Sequence, residues 1–447
     1  MRSGVSWLFA LAGAALVNGF SSESRDAPAV VAVPFRHDRP VPNQLLKRSK
    51  IADIATDFQW DVYNVNITLG TPPQSLIAIF STWGNGCWVT GVNSSDCSVF
   101  TDTTTCGGDG AYNRTLSTSA KLLDEKFSYD DSSSQLTGEF VTDVLTIGDA
   151  KVNDMKMGVA EWGFPSNTIS LGYGNTSSTS FTQALADSGA INSPAFSMWS
   201  NMILFGGINK AKYEEPLYTF PIVNGSDLTK ALRINMTGIS VNETAMVSDK
   251  FPLDAVFDIE VDMTYVPDYL AKALFAQIGA TGVPDDNGQV NLSCSSVGEN
   301  ATIGFNFGDL NVQLPAWSFL SGNPDIGESD YETDDLCYFT ICENKELQNE
   351  GSIVLGTNFI TLVYSVFDLE NDEISLAGRN WNAASDDIVE ITTGKNAVPG
   401  TTAGSNSTGS NSTGTKSAGK KSAGIRIEVG MRAGALISAI ALWCFVL

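Results

Sequence analysis

Short segments in which apolar and polar residues alternate dominate the chain between Tyr63 and Ile391. Gly, Asn, Asp and Ser separate these segments, which is the pattern of β-strands joined by turns. Clear examples of predicted strands are Val144–Gly148, Met202–Gly207 and Glu373–Ala377. Apolar residues three and four positions apart predict two short helices, Phe181–Ser188 and Asp268–Ile278. The pattern therefore predicts a mainly β fold with a few short helices.

An internal repeat divides this region into two halves. The segment Leu76–Ser81 aligns with Leu253–Asp258, and the alignment continues without a gap until Trp88-Val89 falls on Tyr265-Val266. Four of the fourteen aligned positions are identical. Because each copy stands near the start of a β-rich half, the repeat predicts two duplicated lobes, 49–220 and 221–392.

The N-terminal end departs from this pattern. A positive residue, Arg2, precedes the apolar stretch Trp7–Val17 and a cleavage site of small residues, which predicts a signal peptide over 1–19. A buried core helix is the alternative. Residues 20–48 show no strand pattern and end in the dibasic pair Lys47-Arg48, so we interpret them as a prosegment.

The C-terminal end predicts a flexible stalk and a lipid anchor. Residues 393–424 are rich in Gly, Ser and Thr and offer little that a core could bury. Residues 425–447 add a short spacer and the apolar run Ala433–Leu447, the arrangement of a glycosylphosphatidylinositol (GPI) signal. We expect the anchor on Ser422, in the small-residue triplet Ser422–Gly424, and Ser417–Gly419 is a second such triplet. A tail-anchored helix is the alternative to a lipid anchor. This predicts residence at the cell surface, in the plasma membrane or the wall.

The composition excludes several function classes. The formal net charge is −24, from 26 basic and 50 acidic residues. No basic patch is available to neutralise phosphates, which argues against nucleic acid as a partner. The acidity fits a secreted monomer kept apart from its neighbours by charge. The single histidine, His37, falls in the prosegment, so the mature chain has no Ser-His triad and no His-ligated metal, and we expect no cofactor.

The cysteine count is compatible with disulfides. Seven cysteines occur, and Cys444 would leave with the C-terminal signal, so an even number remains in a secreted chain. The expected pairs are Cys97–Cys106 and Cys294–Cys337, while Cys87 and Cys342 are left over as candidate buried thiols.

Eleven Asn-x-Ser/Thr sequons predict N-glycosylation. A chain so rich in Ser and Thr produces several by chance, so we expect about half to be occupied. The sequon asparagines are Asn66, Asn93, Asn113, Asn175, Asn224, Asn235, Asn242, Asn291, Asn300, Asn406 and Asn411.

The two copies of the repeat continue as FSTWGNGCWV and FDIEVDMTYVP, which start at Phe80 and Phe257. Pepsin-like aspartic proteases carry a strand followed by Asp-Thr-Gly at this place in each of two lobes related by a pseudo-twofold axis. The chain resembles this family also in YNVNITLGTPPQ, LADSGAINSPAFSMW, ILFGGINKAKY and VLGTNFITLVYSVFDLENDEISLA. The resemblance implies the bilobal pepsin-like fold over 63–391, and the two ends resemble the fungal GPI-anchored, yapsin-type branch.

The resemblance also implies a site in which two carboxyl groups share one water molecule. Asp258 stands at the second of these positions, but Ser81 stands where the first aspartate is expected. A hydroxyl cannot act as the acid near neutral pH, and no base is available to turn it into a nucleophile. The sequence therefore predicts a degenerate catalytic dyad.

Further departures surround these two positions. Trp83 and Glu260 replace the two motif glycines, and we expect them to bring bulk and charge into a space with no room for a Cβ. Thr82 is retained, whereas Ile259 replaces the second threonine, which removes one partner of the family's Thr–Thr hydrogen bond. Glu260 is the acid that could most readily substitute for the missing carboxyl group.

Two aromatic residues of the cleft are retained. Trp88 keeps its place after the first motif, and Tyr129 in FSYDDSSSQLTG matches the flap tyrosine that closes over bound peptide in the family. An ordinary hairpin aromatic is the alternative for Tyr129.

Three functions remain open at this point. The first is a non-catalytic surface protein that binds a peptide or protein in the cleft between its lobes. The second is an active aspartic-type endopeptidase that uses Asp258 with a substitute acid. The third is a structural cell-wall glycoprotein whose cleft binds nothing.

Overall fold

The computed structural model of the protein describes residues 30–34, 63–404 and 423–426. Within the long middle range, the gaps are 84–85, 96–107, 131–134, 163–166, 175–177, 224–229, 247–248, 281, 286, 323–335, 346–350 and 384. The predicted signal peptide, most of the predicted prosegment, residues 405–422 with the predicted anchor residue Ser422, and the apolar C-terminal run lie outside the described residues.

Strands form most of the described chain, as the alternating pattern predicts. In the N-terminal half they are β1 (Val31–Pro34), β2 (Asn64–Leu69), β3 (Gln74–Ser81), β4 (Trp88–Thr90), β5 (Lys121–Asp130), β6 (Gln135–Ile147), β7 (Ala150–Trp162), β8 (Thr168–Ser170), β9 (Ala195–Trp199), β10 (Met202–Phe205), β11 (Gly207–Asn209) and β12 (Tyr213–Pro221).

In the C-terminal half the strands are β13 (Arg233–Met236), β14 (Gly238–Val241), β15 (Thr244–Ala245), β16 (Leu253–Phe257), β17 (Thr264–Val266), β18 (Val290–Ser293), β19 (Thr302–Phe307), β20 (Leu310–Pro315), β21 (Leu320–Gly322), β22 (Leu336–Phe339), β23 (Ile341–Glu343), β24 (Ser352–Leu355), β25 (Val363–Asp368), β26 (Glu373–Arg379), β27 (Ile388–Glu390), β28 (Thr401–Ala403) and β29 (Ala423–Arg426).

In the described residues, three short α-helices accompany the strands: α1 (Phe181–Asp187), α2 (Asp268–Ile278) and α3 (Thr357–Ile360). The first two confirm the helices predicted from periodicity. The hydroxyl of Ser180 accepts a hydrogen bond from the backbone N–H of Gln183 and caps α1. Gly279 ends α2 in the left-handed conformation, with φ of 82°.

The first lobe is a seven-stranded sheet in the order β2-β3-β8-β4-β7-β6-β5, and β2 also pairs with β6. Alternate residues of β3 point into the core, where Leu76, Ala78 and Phe80 are buried. The strand β8 runs parallel to β3 and places Ser170 opposite Ser81. The end of β3 therefore lies in the interior of the sheet, with β2 on one side of the strand and β8 on the other.

The second lobe repeats this arrangement in the sheet β13-β16-β24-β17-β23. In the first lobe, Thr168 pairs with both Ile79 and Trp88. In the second lobe, Val354 pairs with both Val256 and Tyr265. These partners are the residues that the internal repeat aligns, so the structure confirms the duplicated lobes down to the register of their strands.

A third sheet joins the lobes, in the order β1-β10-β9-β25-β26-β12-β28. Its edge strand β1 lies in the segment for which we predicted no strand, and that prediction is wrong for Val31–Pro34. β1 pairs antiparallel with β10, and the side chain of Val33 is buried. A four-residue strand of this kind carries little periodicity of its own and forms because the edge of β10 is available to pair with it.

The beginning of the predicted flexible stalk is also packed. Ala397 and Val398 are buried, together with Ile391 just before this segment, in a hydrophobic cluster on the third sheet that also contains Tyr364. β27 pairs with β11, and β28 adds a parallel strand beside β12. The prediction of a stalk is therefore wrong for residues 393–404, because a few apolar side chains in a polar segment find a preformed surface.

The cysteines follow the prediction where the structure describes them. Cys294 and Cys337 form a disulfide with a Cα–Cα separation of 5.1 Å. Cys87 and Cys342 are buried free thiols, and burial raises the pKa of each to about 12. Cys97 and Cys106 lie outside the described residues.

Within the described ranges, no helix is both long and apolar enough to cross a lipid bilayer.

The packed C-terminal segment predicts a measurable contribution to stability. Ile391 is fully buried, whereas Ile388, three residues earlier, is 36% exposed. We expect Ile391→Ala to lower the free energy of unfolding by about 2–4 kcal/mol, since it removes buried methylene groups and leaves a cavity. Urea unfolding measures the change, with Ile388→Ala as the matched control. Equal effects of the two substitutions would show that this segment does not pack on the sheet.

Candidate functional site

Two loops with the same local geometry stand at corresponding places in the two lobes. Ser81 is the last residue of β3, and Asp258 follows β16 directly. The backbone N–H of Trp83 donates to the Ser81 hydroxyl oxygen at 3.1 Å, and the backbone N–H of Glu260 donates to Asp258 Oδ1 at 2.8 Å. In each loop the N–H two residues later thus folds back onto the side chain. Ser81 and Asp258 therefore occupy equivalent positions.

The loops are fixed to the strands beside them. The backbone N–H of Leu171 donates to the carbonyl of Ser81 at 2.7 Å, and that of Asp258 donates to the carbonyl of Leu355 at 3.0 Å. A Cβ at Gly172 would lie 2.3 Å from the carbonyl oxygen of Thr82, so this position requires glycine. Both loops consequently present their first side chain from a rigid support.

A hydrogen bond ties the two loops to each other. The backbone N–H of Ile259 donates to the hydroxyl of Thr82 at 3.3 Å. We predicted that Ile259 would weaken this connection, because its side chain has no hydroxyl. The replacement does remove a side-chain partner, but the structure keeps the contact between the loops through the backbone. The prediction is corrected in this respect.

Trp83 makes the most informative contact of the site. Its indole Nε1–H donates to Asp258 Oδ2 at 2.8 Å, across 175 positions of the sequence. We predicted that Trp83 would only crowd the dyad. Instead it reaches from the first lobe to the carboxylate of the second, at the oxygen that does not bind Glu260. Sequence reasoning missed this contact, since the only signal was an N–H donor two residues after the dyad position.

Asp258 is nearly enclosed, with 6% of its surface exposed. Burial raises the pKa of its carboxyl group, and the hydrogen bonds from the Glu260 backbone and the Trp83 indole offset part of that rise. Within the described residues, the hydrogen bonds to Asp258 come from these two N–H groups and none comes from a second carboxyl group. The site therefore holds one buried acid whose two oxygens each accept an N–H.

The other acids of this region have different environments. Glu260 and Asp262 are half-buried in the Asp258 loop. Asp254 lies 3.9 Å from Arg233, whose side chain is almost fully buried.

An aromatic cluster lies on the flap side of the site. β5 and β6 form the flap hairpin, and Tyr129 lies one residue before its turn, whose residues 131–134 are not described. The rings of Tyr129 and Trp88 stack with centroids 4.8 Å apart, and Trp88 also packs on Phe127 at 6.2 Å. The buried indole Nε1 of Trp88 has no hydrogen-bond partner among the described residues. Trp88 therefore connects the flap to β4, the strand that follows the first loop.

The described residues contain no group of three His, Cys, Asp or Glu side chains that could hold a metal ion.

The predicted glycosylation sites fall into three groups. Exposed asparagines are Asn93, Asn242, Asn291 and Asn300, half-buried ones are Asn66, Asn113 and Asn235, and those outside the described residues are Asn175, Asn224, Asn406 and Asn411.

Comparisons with known proteins identify the family. Residues 62–379 match the family model of the eukaryotic aspartyl proteases. A probable aspartic-type endopeptidase, opsB, of Aspergillus oryzae is 30% identical over 435 residues, covering 90% of this chain and 87% of its own. Aspartic proteinase 3 of Saccharomyces cerevisiae is 25% identical, covering 78% and 75%. Secreted aspartic protease 8 of Candida albicans is 27% identical, covering 72% and 77%. The chain therefore belongs to the pepsin-like family of eukaryotic aspartyl proteases.

Proposed function

We propose that this protein is a catalytically inactive member of its family that binds an extended peptide or protein segment in the cleft between its lobes. The observation that supports this proposal is the hydrogen bond from Trp83 Nε1 to Asp258 Oδ2. It gives the single acid of the site a neutral partner where hydrolysis requires a second carboxyl group.

The chemistry of the family explains why one acid is insufficient. One carboxylate must take a proton from the attacking water while a second, protonated carboxyl group donates a hydrogen bond. In place of the other carboxyl group this protein has the hydroxyl of Ser81. The pKa of a serine hydroxyl lies far above the working range of a carboxyl group. Loss of one member of a catalytic unit lowers turnover by roughly 10⁴–10⁶-fold in other hydrolases. We infer a comparable loss here.

The binding part of the proposal rests on what the site retains. Thr82 still connects the loops, and Tyr129 still lies on the flap over Trp88. A cleft with an aromatic wall and one buried carboxylate suits an extended peptide, which offers backbone N–H groups and apolar side chains.

We further propose that the protein is secreted and held at the cell surface by a GPI anchor on Ser422. The signal-like N-terminus and the small-residue, spacer and apolar-run order of the C-terminus support this location. One relative carries the word secreted in its name. The anchor would leave the cleft available to extracellular partners.

The names of the relatives favour a second candidate, an active aspartic-type endopeptidase. In this case Glu260, which lies in the same loop as Asp258, would supply the missing acid after a rearrangement of the loop. A structural wall glycoprotein with an empty cleft is the third outcome of the tests below.

The first prediction concerns hydrolysis. Mature protein should leave an unstructured polypeptide substrate intact between about pH 3 and pH 6, the range in which an aspartic dyad holds one proton. Cleavage by the purified protein that disappears in Asp258→Asn would establish the active endopeptidase. The fourfold variant Ser81→Asp, Trp83→Gly, Ile259→Thr and Glu260→Gly tests whether the scaffold is otherwise competent, and we expect it to gain measurable activity.

The second prediction concerns the cleft. A peptide-like aspartic protease inhibitor should bind saturably in calorimetry without being cleaved, and Tyr129→Ala should weaken its binding about tenfold, since the ring would pack on the bound inhibitor. Leu122→Ala, an exposed residue at the far end of β5, is the matched control. Absence of binding together with absence of hydrolysis would leave the structural glycoprotein.

The third prediction concerns the bond between Trp83 and Asp258. The indole N–H favours the ionised carboxylate, so Trp83→Phe should raise the pKa of Asp258 further. A raised pKa of a buried acid lowers stability once the pH exceeds the unfolded value. The variant should therefore lose about 1.5–3 kcal/mol at pH 7 and much less near pH 3, where the carboxyl group is protonated in both proteins.

Thermal unfolding at the two pH values measures this difference. Trp381→Phe is the matched control, because the indole N–H of Trp381 has no hydrogen-bond partner among the described residues. A loss for Trp83→Phe that is the same at both pH values would refute the role assigned to the hydrogen bond.

A further inference from the structure

An irregularity in the first sheet turns one tryptophan toward solvent. Thr137 on β6 pairs with Trp162, and the next residue, Gly138, pairs with Ala160. Glu161 is therefore an extra residue on β7, which forms a β-bulge at the end of this strand. Trp162 is 60% exposed, a large fraction for a side chain that is highly buried on average.

The same bulge holds a turn that carries a glycosylation sequon. The backbone N–H of Gly91 donates to the carbonyl of Ala160 at 2.9 Å, and that of Ser95 donates to the carbonyl of Glu161 at 3.1 Å. A further hydrogen bond, from Ser94 N–H to Gly91 C=O at 2.9 Å, closes the turn. Asn93, the acceptor of the sequon Asn93-Ser94-Ser95, lies exposed within it.

These contacts set an upper limit on the separation of the sequon and the tryptophan. Asn93 is two residues from Ser95, and Trp162 follows Glu161 directly. Consecutive Cα atoms are about 3.8 Å apart, so three such steps and one backbone hydrogen bond separate the two residues. The first sugars of a chain on Asn93 would therefore reach the indole.

The surroundings of Trp162 suit a carbohydrate. A groove of about 470 Å³ lies beside the indole. Its lining includes the exposed hydroxyl residues Ser128 and Thr137 and the charged residues Lys126 and Glu161. The C–H face of a pyranose can lie on an aromatic ring while hydroxyl, ammonium and carboxylate groups bind its polar edge.

We propose that Asn93 carries an N-linked glycan whose first N-acetylglucosamine residues pack on the indole of Trp162. The glycan covers an apolar side chain that would otherwise be exposed and holds the 91–95 turn on the bulge. This inference rests on passage through the secretory pathway, and it is independent of what the cleft binds or cleaves.

The first test is occupancy. The full chain is produced in a eukaryotic secretory host, and glycopeptide mass spectrometry maps its modified asparagines. We expect Asn93 to be occupied. Modification of other sequons without Asn93 would overturn the inference while leaving secretion established, whereas a chain modified nowhere would overturn both.

The second test separates packing from attachment. Trp162→Ala should lower the thermal midpoint of the glycosylated protein by about 1–3 °C and should have little effect in the Asn93→Gln background, since the partner of the indole is then absent. Trp162→Phe should retain most of the stabilisation, because the aromatic ring is kept. Asn300→Gln, at another exposed sequon, is the matched background, in which Trp162→Ala should act as in the parent. An equal shift with and without the Asn93 glycan would refute the packing.

The third measurement uses the unmodified sequence. Glycan packed on Trp162 should be released more slowly by a peptide-N-glycanase from Asn93 than from any exposed sequon that is also occupied, and Trp162→Ala should remove the difference. Equal release rates in the parent and in the variant would contradict the proposal.

Discussion

A buried carboxylate needs hydrogen-bond donors, and in this protein the indole of Trp83 supplies one of the two that Asp258 has. Water and a second carboxyl group would meet this need in a working dyad. Replacement of these groups by the Trp83 indole makes the substitutions in the two loops depend on each other. An aspartate at position 81 alone would face an indole that is already hydrogen-bonded to Asp258. The backbone N–H of Trp83 also folds onto Ser81. Trp83 therefore donates a hydrogen bond to the side chain at each of the two dyad positions, Ser81 and Asp258.

The interactions that position the two loops do not depend on the hydrogen bond between Trp83 and Asp258. The parallel pairs β3–β8 and β16–β24 set the position of each loop, and Thr82 joins the loops through the backbone of Ile259. None of these interactions involves the carboxyl chemistry. A chain can therefore keep the fold and the hairpin of β5 and β6 after the dyad has changed, because core packing and strand register stabilise the fold while the dyad determines only the reaction.

Periodicity and the internal repeat predicted the parts of the structure that local sequence determines. Helix α2 begins and ends where the apolar spacing predicts, and the aligned repeat residues share a strand register. Residues 393–404 and strand β1 escaped prediction, since their few apolar side chains gain stability only on surfaces formed by distant segments. The contact between Trp83 and Asp258 escaped for the same reason, because it depends on how two lobes meet.

The raised pKa of Asp258 shows that its charge is unfavourable for the fold, a property common at functional sites. A structural explanation competes with the functional one. An apolar residue at this position would remove the charge, but it would leave the N–H groups of Trp83 and Glu260 buried without acceptors. Asp258 is thus favoured by its donors as well as by any ligand. Binding in the cleft must consequently be judged by ligand contacts, since retention of the acid is explained without catalysis.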